Sequence, residues 1–224
     1  MNKYGTAFLI SNELKFDNLQ CDTEGRIMSV NVGSTTIFNG YLHCGNDRLM
    51  KANREQTIAE TIPNMLQNSR DSGLFLADWN CITDVKDATR NQNEKISPSL
   101  KRLIASMKWS DVFRQLYPSA QIYSRYYSNA AYGEGATRID RGYVYGDITI
   151  LEAQYVGVAL SDHMGLIVKV KMPRFCSNVV SPRASPLFKA RPEVVRDPVF
   201  KARLQEQYTV WEEARTVSHI PTLA

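Results

Sequence analysis

Leu-Phe-Leu-Ala at positions 74–77, set between Gly73 and Asp78, is the stretch that most restricts how this chain can fold. Four apolar residues are too few for a helix, and no polar residue alternates among them. A run of that kind is buried on both faces, as an inner strand is when helices or a second sheet cover it. Helical cover is at hand upstream. From about Asp47 to Asn68, Ile58, Ile62, Met65 and Leu66 recur at helical spacing. Pro63 falls inside that pattern and is expected to kink or split the helix, because it lacks an N–H and crowds the preceding turn.

Strand patterns surround this unit. Thr6–Ile10 (TAFLI) is a short apolar run with strand character. Glu24-Gly25-Arg26 signals a turn, Ile27–Val32 (IMSVNV) alternates, and Gly33-Ser34 leads into the β-branched and aromatic run of 34–42. These read as two arms of a hairpin. A polar loop covers 79–98, and Ser97-Pro98 pairs an N-cap with proline at the first helical position. Leu100, Leu103, Ile104 and Met107 then form a helical stripe, with Val112, Phe113 and Leu116 as further anchors. Tyr123–Tyr127 reads as a strand, followed by a glycine-bearing loop to Gly135. Further strands are expected at 139–145, 148–154 and 166–170. Strands interleaved with helices and hairpins point to a mixed α/β sandwich rather than a purely parallel sheet.

With 224 residues the chain has room for one domain and an appendage. A hydrophobic fraction of 43% is enough for a large core. No apolar run approaches the roughly 18 residues of a membrane span, and the first residues lack a signal peptide's apolar core and cleavage site. No membrane association and an intracellular, nuclear location are therefore expected. Cys21, Cys44, Cys81 and Cys176 form no paired motif, so reduced thiols are expected rather than structural zinc. A net charge of +4 permits a polyanionic partner without announcing one. After Met172-Pro173 the composition shifts. A Ser/Pro linker at 181–186 leads to a polar helical stretch from about Pro198 to Thr216, in a tail too poor in apolar residues for its own core. The expected boundaries are 1–172 for the domain and 173–224 for the basic tail.

Three polar pieces sit at strand edges. Asp78 and Asn80 close the 74–77 strand, two apart and directed the same way. Asp140 opens an apolar run within Thr137-Arg138-Ile139-Asp140. Ser161-Asp162-His163 precedes another, and this histidine is one of only three. A carboxylate can hold a metal-bound water, an amide can bind a phosphate oxygen, and an Asp beside a His can orient an imidazole. Taken singly, each has a plainer reading: a turn cap for Asp-x-Asn, a surface histidine, a surface charge cluster around Arg138.

Together, Ala77-Asp78-Trp79-Asn80, Thr137-Arg138-Ile139-Asp140-Arg141-Gly142-Tyr143 and Ser161-Asp162-His163 resemble the Gly-Asp-Phe-Asn, Ser-Arg-Ile-Asp-Arg-Ile-Tyr and Ser-Asp-His motifs of the endonuclease/exonuclease/phosphatase superfamily. The Arg-Ile-Asp-Arg form looks most like the apurinic-type endonuclease domain of non-LTR (LINE-like) retrotransposon polyproteins. Asn39-Gly40-Tyr41 and Tyr123-Ser124 resemble further motifs of that family, and Phe188-Lys189 to Trp211 resembles the segment leading to its reverse transcriptase. The resemblance implies a four-layered α/β sandwich, two mixed β-sheets flanked by helices. It implies Mg²⁺-dependent phosphodiester hydrolysis on DNA, with Mn²⁺ as a substitute, and a reverse transcriptase domain downstream. Asp78 would position or deprotonate the attacking water. Asn80 would hold the phosphate, and His163, oriented by Asp140, would stabilise its charge. Asp162 would lie near the metal. Tyr41 and Ser124 would donate hydroxyls to non-bridging oxygens, and Arg138 would contact phosphate.

The chain departs from the family pattern at its start. The family's Asn strand and its metal-binding Glu motif have no match, since Glu13 and Glu24 stand in the wrong context. The first strands of the sandwich are therefore expected to be missing. Alternatives follow: a catalytically inactive remnant with weak nucleic-acid binding, or a phosphatase of lipid or inositol phosphates.

Overall fold

The computed structural model describes residues 5–90, 95–129, 133–158 and 161–173, together with Pro198, Ala202, Gln205 and Glu206. The chain divides into two compact units, Met1–Ser181 and Pro182–Ala224. In the second, the four described positions are helical. Cys176, the linker at 181–186 and, apart from those four positions, the tail motif reaching Trp211 lie outside the described residues.

A six-stranded mixed sheet forms the centre of the first unit. Its strands are β1 (Asp17–Cys21), β2 (Ile27–Val32), β3 (Thr35–Tyr41), β4 (Ser72–Asp78), β5 (Ser110–Asp111) and β8 (Asp140–Tyr145), in the order β1-β2-β3-β4-β8-β5. β3 and β4 are parallel and every other neighbour is antiparallel. The parallel pair requires a crossover, which α1 (Arg48–Gln56), a π-helical turn (Thr57–Thr61) and α2 (Ile62–Leu66) supply. Asp47 caps α1 by accepting from the Met50 N–H at 3.0 Å. The interruption expected at Pro63 is a change of helix type, with α2 starting at Ile62 after a π turn. The π turn just before Pro63 widens the helical ring where proline brings no N–H and needs room for its own ring.

β4 shows how the layers are set. Phe75 and Ala77 point to one face, where Ile58, Ile62, Leu66, and Leu100 and Leu103 of α3 (Pro98–Ser106) pack with Trp79, Trp109 and Tyr143. Leu74, Leu76 and Asp78 point to the other. There Leu74 and Val144 meet Ile150, Ala153 and Tyr155 of β9 (Thr149–Gly157) and Val112 and Phe113 of α4 (Val112–Leu116), with Leu166 and Val168 of β10 (Met164–Lys171) alongside. Ser97 caps α3 through the Leu100 N–H, with Pro98 at the first position, as its sequence predicts.

The second layer is built from hairpins. β9 and β10 pair antiparallel, with Leu151 extra at a bulge between Glu152 and Ile150. β6 (Arg125–Asn129) pairs with β7 (Gly133–Thr137), and the bridge Arg125↔His163 joins this ribbon to the start of β10. The fold is thus the expected α/β sandwich, a mixed sheet with flanking helices.

Two local expectations are corrected. Residues 5–10 form no strand. Leu9 is 99% exposed, so the apolar run has nothing to pack on, and the segment is tied through the Thr6 N–H to the Gly25 carbonyl. The edge position belongs instead to β1, whose polar DNLQC carries no strand signal. The last residues of the loop expected up to Gly135, from Gly133 on, belong to strand β7, where Gly135 is pressed against the Tyr127 ring across the ladder and a residue without a side chain fits.

Candidate active site

Tyr41, Asp78 and Asp140 stand in one row. Tyr41 pairs with Asp78 across the parallel β3–β4 ladder, and Asp78 pairs with Asp140 across the antiparallel β4–β8 ladder. Residues paired in this way project to the same face, here the face covered by the β9–β10 hairpin. The three side chains therefore converge at the end of the cleft between the layers.

The loop after β4 is held from three sides. The Asn80 N–H donates to Asp78 Oδ1 at 2.9 Å, closing an Asx turn. The Asn80 side-chain amide donates to Asp78 Oδ2 at 3.1 Å and to the Leu42 carbonyl at 3.0 Å. This geometry puts Asn80 at φ 49°, a left-handed conformation that asparagine tolerates best after glycine. Trp79 is fully buried between them and donates its indole N–H to the Arg141 carbonyl at 3.2 Å, so the loop is anchored in the core. The turn-cap reading of Asp-x-Asn is realised, and the same loop sets Asp78 beside Asp140 and His163.

Across the row, His163 Nδ1 lies 2.9 Å from Asp140 Oδ2. Asp78, Asp140 and His163 each offer a ligand atom, all within 4.8 Å of one another. Asp140 is positioned from behind. Its N–H and that of Ile139 both donate to Ser124 Oγ at 2.9 Å, and the Tyr155 hydroxyl donates to its carbonyl at 2.6 Å.

The electrostatics follow from crowding. Burial, then repulsion from Asp140, pushes the Asp78 carboxyl up to about 6. The hydrogen bond to Asp140 raises His163 above the ordinary histidine value, against the opposing effect of burial. A hydrogen bond with Cys44 and burial push Tyr41 up to about 12, so its hydroxyl stays protonated and can donate.

Three assigned roles do not survive the geometry. Arg138 cannot contact phosphate. It is 1% exposed, and its guanidinium donates to Asp87 Oδ1 at 2.9 Å and to the two Asp111 oxygens at 3.2 and 2.8 Å. Ser124 is fully buried, and its hydroxyl is spent on the β8 backbone instead of a substrate oxygen. Asp162 lies outside the ligand cluster and accepts from Arg125 Nε at 2.8 Å, which holds its carboxyl below the usual range.

Sequence reasoning missed Arg125, and it missed Asp87. Asp87 is 1% exposed and takes Arg114 Nη2 at 2.9 Å as well as Arg138. Burial alone would raise its pKa, but the surrounding guanidiniums outweigh it and hold Asp87 low. The acid sits in a polar loop, where nothing marks one carboxylate among many. Arg125 becomes a neighbour of His163 only through a bridge between segments far apart in the chain.

No family model and no curated relative matches the chain. Solved structures do. An AP endonuclease from Archaeoglobus fulgidus superposes with a TM-score of 0.58 at 15% identity, covering 71% of this chain and 72% of that one. The fold is AP-endonuclease-like. Two structures of Neisseria NExo superpose with TM-scores of 0.55 at 16% identity. One is the 3′ phosphatase bound to a product DNA hairpin, covering 67% of this chain and 66% of that one. The other is the 3′-5′ exonuclease from Neisseria meningitidis, covering 67% of each chain.

A divalent cation suits the donor set. Asp78 and Asp140 are two close carboxylates whose mutual repulsion is not neutralised by a cation of their own strand pair, and His163 completes a three-donor cluster. No glutamate joins that cluster among the described residues.

Proposed function

We propose that this chain is a metal-dependent nuclease module that hydrolyses DNA phosphodiesters, of the kind carried by non-LTR retroelements. The observation that carries this reading is the convergence of Asp78, Asp140 and His163 within 4.8 Å at the end of the central sheet. The motif set and the likeness to an AP endonuclease and an exonuclease/phosphatase support it.

Each group suits one part of the reaction. Asp78, with its carboxyl raised to about 6, can accept a proton from an attacking water near neutral pH. His163, oriented through Nδ1 by Asp140, presents its other ring nitrogen for charge that builds on the phosphate. Tyr41 donates a hydroxyl to a non-bridging oxygen. Asn80, whose amide N–H groups go to Asp78 and the Leu42 carbonyl and not to a phosphate as first expected, fixes the Asp78 carboxylate in place. Mg²⁺ or Mn²⁺, held by Asp78 and Asp140, would supply charge neutralisation on the phosphate.

Nicking of supercoiled plasmid with Mg²⁺ is the test. Wild-type nicking that is abolished by His163→Ala is the expected result, and nicking equal in the two would overturn the reading. A second reading, an inert module that only binds nucleic acid, rests on the two-carboxylate cluster, which is poor in anionic ligands for Mg²⁺. Salt-sensitive DNA binding without nicking would select it.

A further inference from the structure

Arg125 and Asp162 form an ion pair beside the Asp78–Asp140–His163 cluster, with Asp162 Oδ1 also 4.0 Å from His163 Nε2, and the proposed chemistry leaves both unused. Arg125 bridges His163 across antiparallel backbones, so the two side chains lie side by side. The Tyr126 N–H donates to the Asp162 carbonyl at 3.0 Å, which fixes Asp162 opposite the root of β6. The ion pair itself is slight. Only Nε of Arg125 bonds Asp162, at 2.8 Å, and the Nη groups have no partner among the described residues. The side chains are 36% and 54% exposed. An exposed, one-point ion pair contributes little net stability and exchanges readily.

That arrangement differs from the chain's other arginines near the sheet end. Arg138 and Arg141 are sealed in the core on Asp87, Asp111, Thr83 and the Cys81 carbonyl. Arg125 is the arginine beside the cluster that combines solvent access with an unspent fork. A planar fork with free N–H groups matches two oxygens of one phosphate. Its charge also reaches the cluster, since Arg125 is among the groups that pull the Asp78 carboxyl back down.

We infer that Arg125 is the residue that grips a DNA phosphate beside His163, and that Asp162 is its resting partner, released when the phosphate arrives. The inference rests on the nuclease reading and names a binding contact for the same site. Guanidinium exchanges an exposed carboxylate for a phosphate without any backbone movement. Asp162 thereby competes with substrate, which sets the affinity and keeps the positive charge from holding product.

The test is binding, without catalysis. Fluorescence anisotropy with a labelled 12-mer DNA duplex in EDTA reads affinity and its salt dependence, so the outcome does not depend on metal or turnover. Arg125→Ala is expected to weaken binding about tenfold on several unrelated sequences and to reduce the salt slope by about one. Arg125→Lys is expected to recover part of the loss. Asp162→Asn is expected to tighten binding about threefold in the wild-type background and to change nothing in Arg125→Ala, because the two act as one unit. Matched thermal unfolding midpoints exclude a folding cause. Equal affinity of Arg125→Ala and wild type, or an Asp162→Asn effect that persists without Arg125, would overturn this inference while leaving the nuclease reading standing. Absence of duplex binding by the wild-type chain would overturn this inference, and absence of Mg²⁺-dependent plasmid nicking as well would overturn both.

Discussion

Asp78 and Asp140 stand directly opposite each other in the β4–β8 ladder, two acids whose carboxylates share one cluster. Like charges in that position cost stability, on the order of 1 kcal/mol or less. The pairing is a cost to the fold and an asset to the site.

The cost is measurable as a pH dependence. Because the Asp78 carboxyl is raised to about 6, the folded chain holds a proton there that the unfolded chain has released. Stability therefore falls as pH rises through the window from about 4 to about 6. Thermal unfolding of wild type and Asp78→Asn across that window checks this. The variant loses the slope and is more stable than wild type near neutrality by about 1 kcal/mol.

A divalent cation held at this cluster would relieve the same repulsion. Millimolar Mg²⁺ or Mn²⁺ is expected to raise the unfolding midpoint of wild type by mass action, with little effect on Asp78→Asn or Asp140→Asn. Equal shifts in all three proteins would show that the ion binds elsewhere.

Nicking should fall on the alkaline side of its pH profile as His163 loses its proton. The hydrogen bond to Asp140 is what raises His163. A histidine raised on folding adds stability that is complete below the unfolded value and is lost as pH passes the folded one. Asp140→Asn is therefore expected to move the alkaline limb of the profile to lower pH, alongside its loss of rate.

Arg138→Ala strips Asp111 of this ion pair and leaves buried Asp87 with Arg114 and Arg141 only, at an expected cost of about 3 kcal/mol. Denaturant unfolding is the measurement. Any activity that survives per folded molecule should show an unchanged affinity for DNA, which separates this residue from Arg125.

Gly142 stands where the related motif has isoleucine. A Cβ here would lie 2.8 Å from Leu76 Cδ2 and 2.9 Å from Val112 Cγ2, so neighbouring side chains already fill the space. Gly142→Ile is expected to destabilise by about 1–3 kcal/mol through overpacking. Leu76→Ala in the same chain is expected to recover part of the loss, a coupling that a double-mutant cycle measures.

What could be read from sequence alone had a local cause. Leu74–Ala77 is apolar on both faces because both faces are covered, and Ser97-Pro98 caps a helix through bonds within one turn. Asp78, Asp140 and His163 could be found because motif order preserved what spacing along the chain hides. Failures came where the deciding neighbour was remote. Residues 5–10 looked like a strand, yet nothing packs on Leu9, while polar β1 is a strand because β2 offers it an edge. Arg138 looked like a phosphate contact until Asp87 and Asp111 closed around it.

The row Tyr41–Asp78–Asp140 has a consequence for the order in which the protein forms. β3 and β4 can join once the intervening helices are made, but β8 must return from some sixty residues downstream to complete the row. Closing that span is slow, because chain entropy is lost before the ladder rewards it. Until β8 docks, Asp78 has no opposing carboxylate and His163 has no partner to orient it. The site is thus absent from every partly folded species, and recovery of nicking after dilution from denaturant should lag behind recovery of helix.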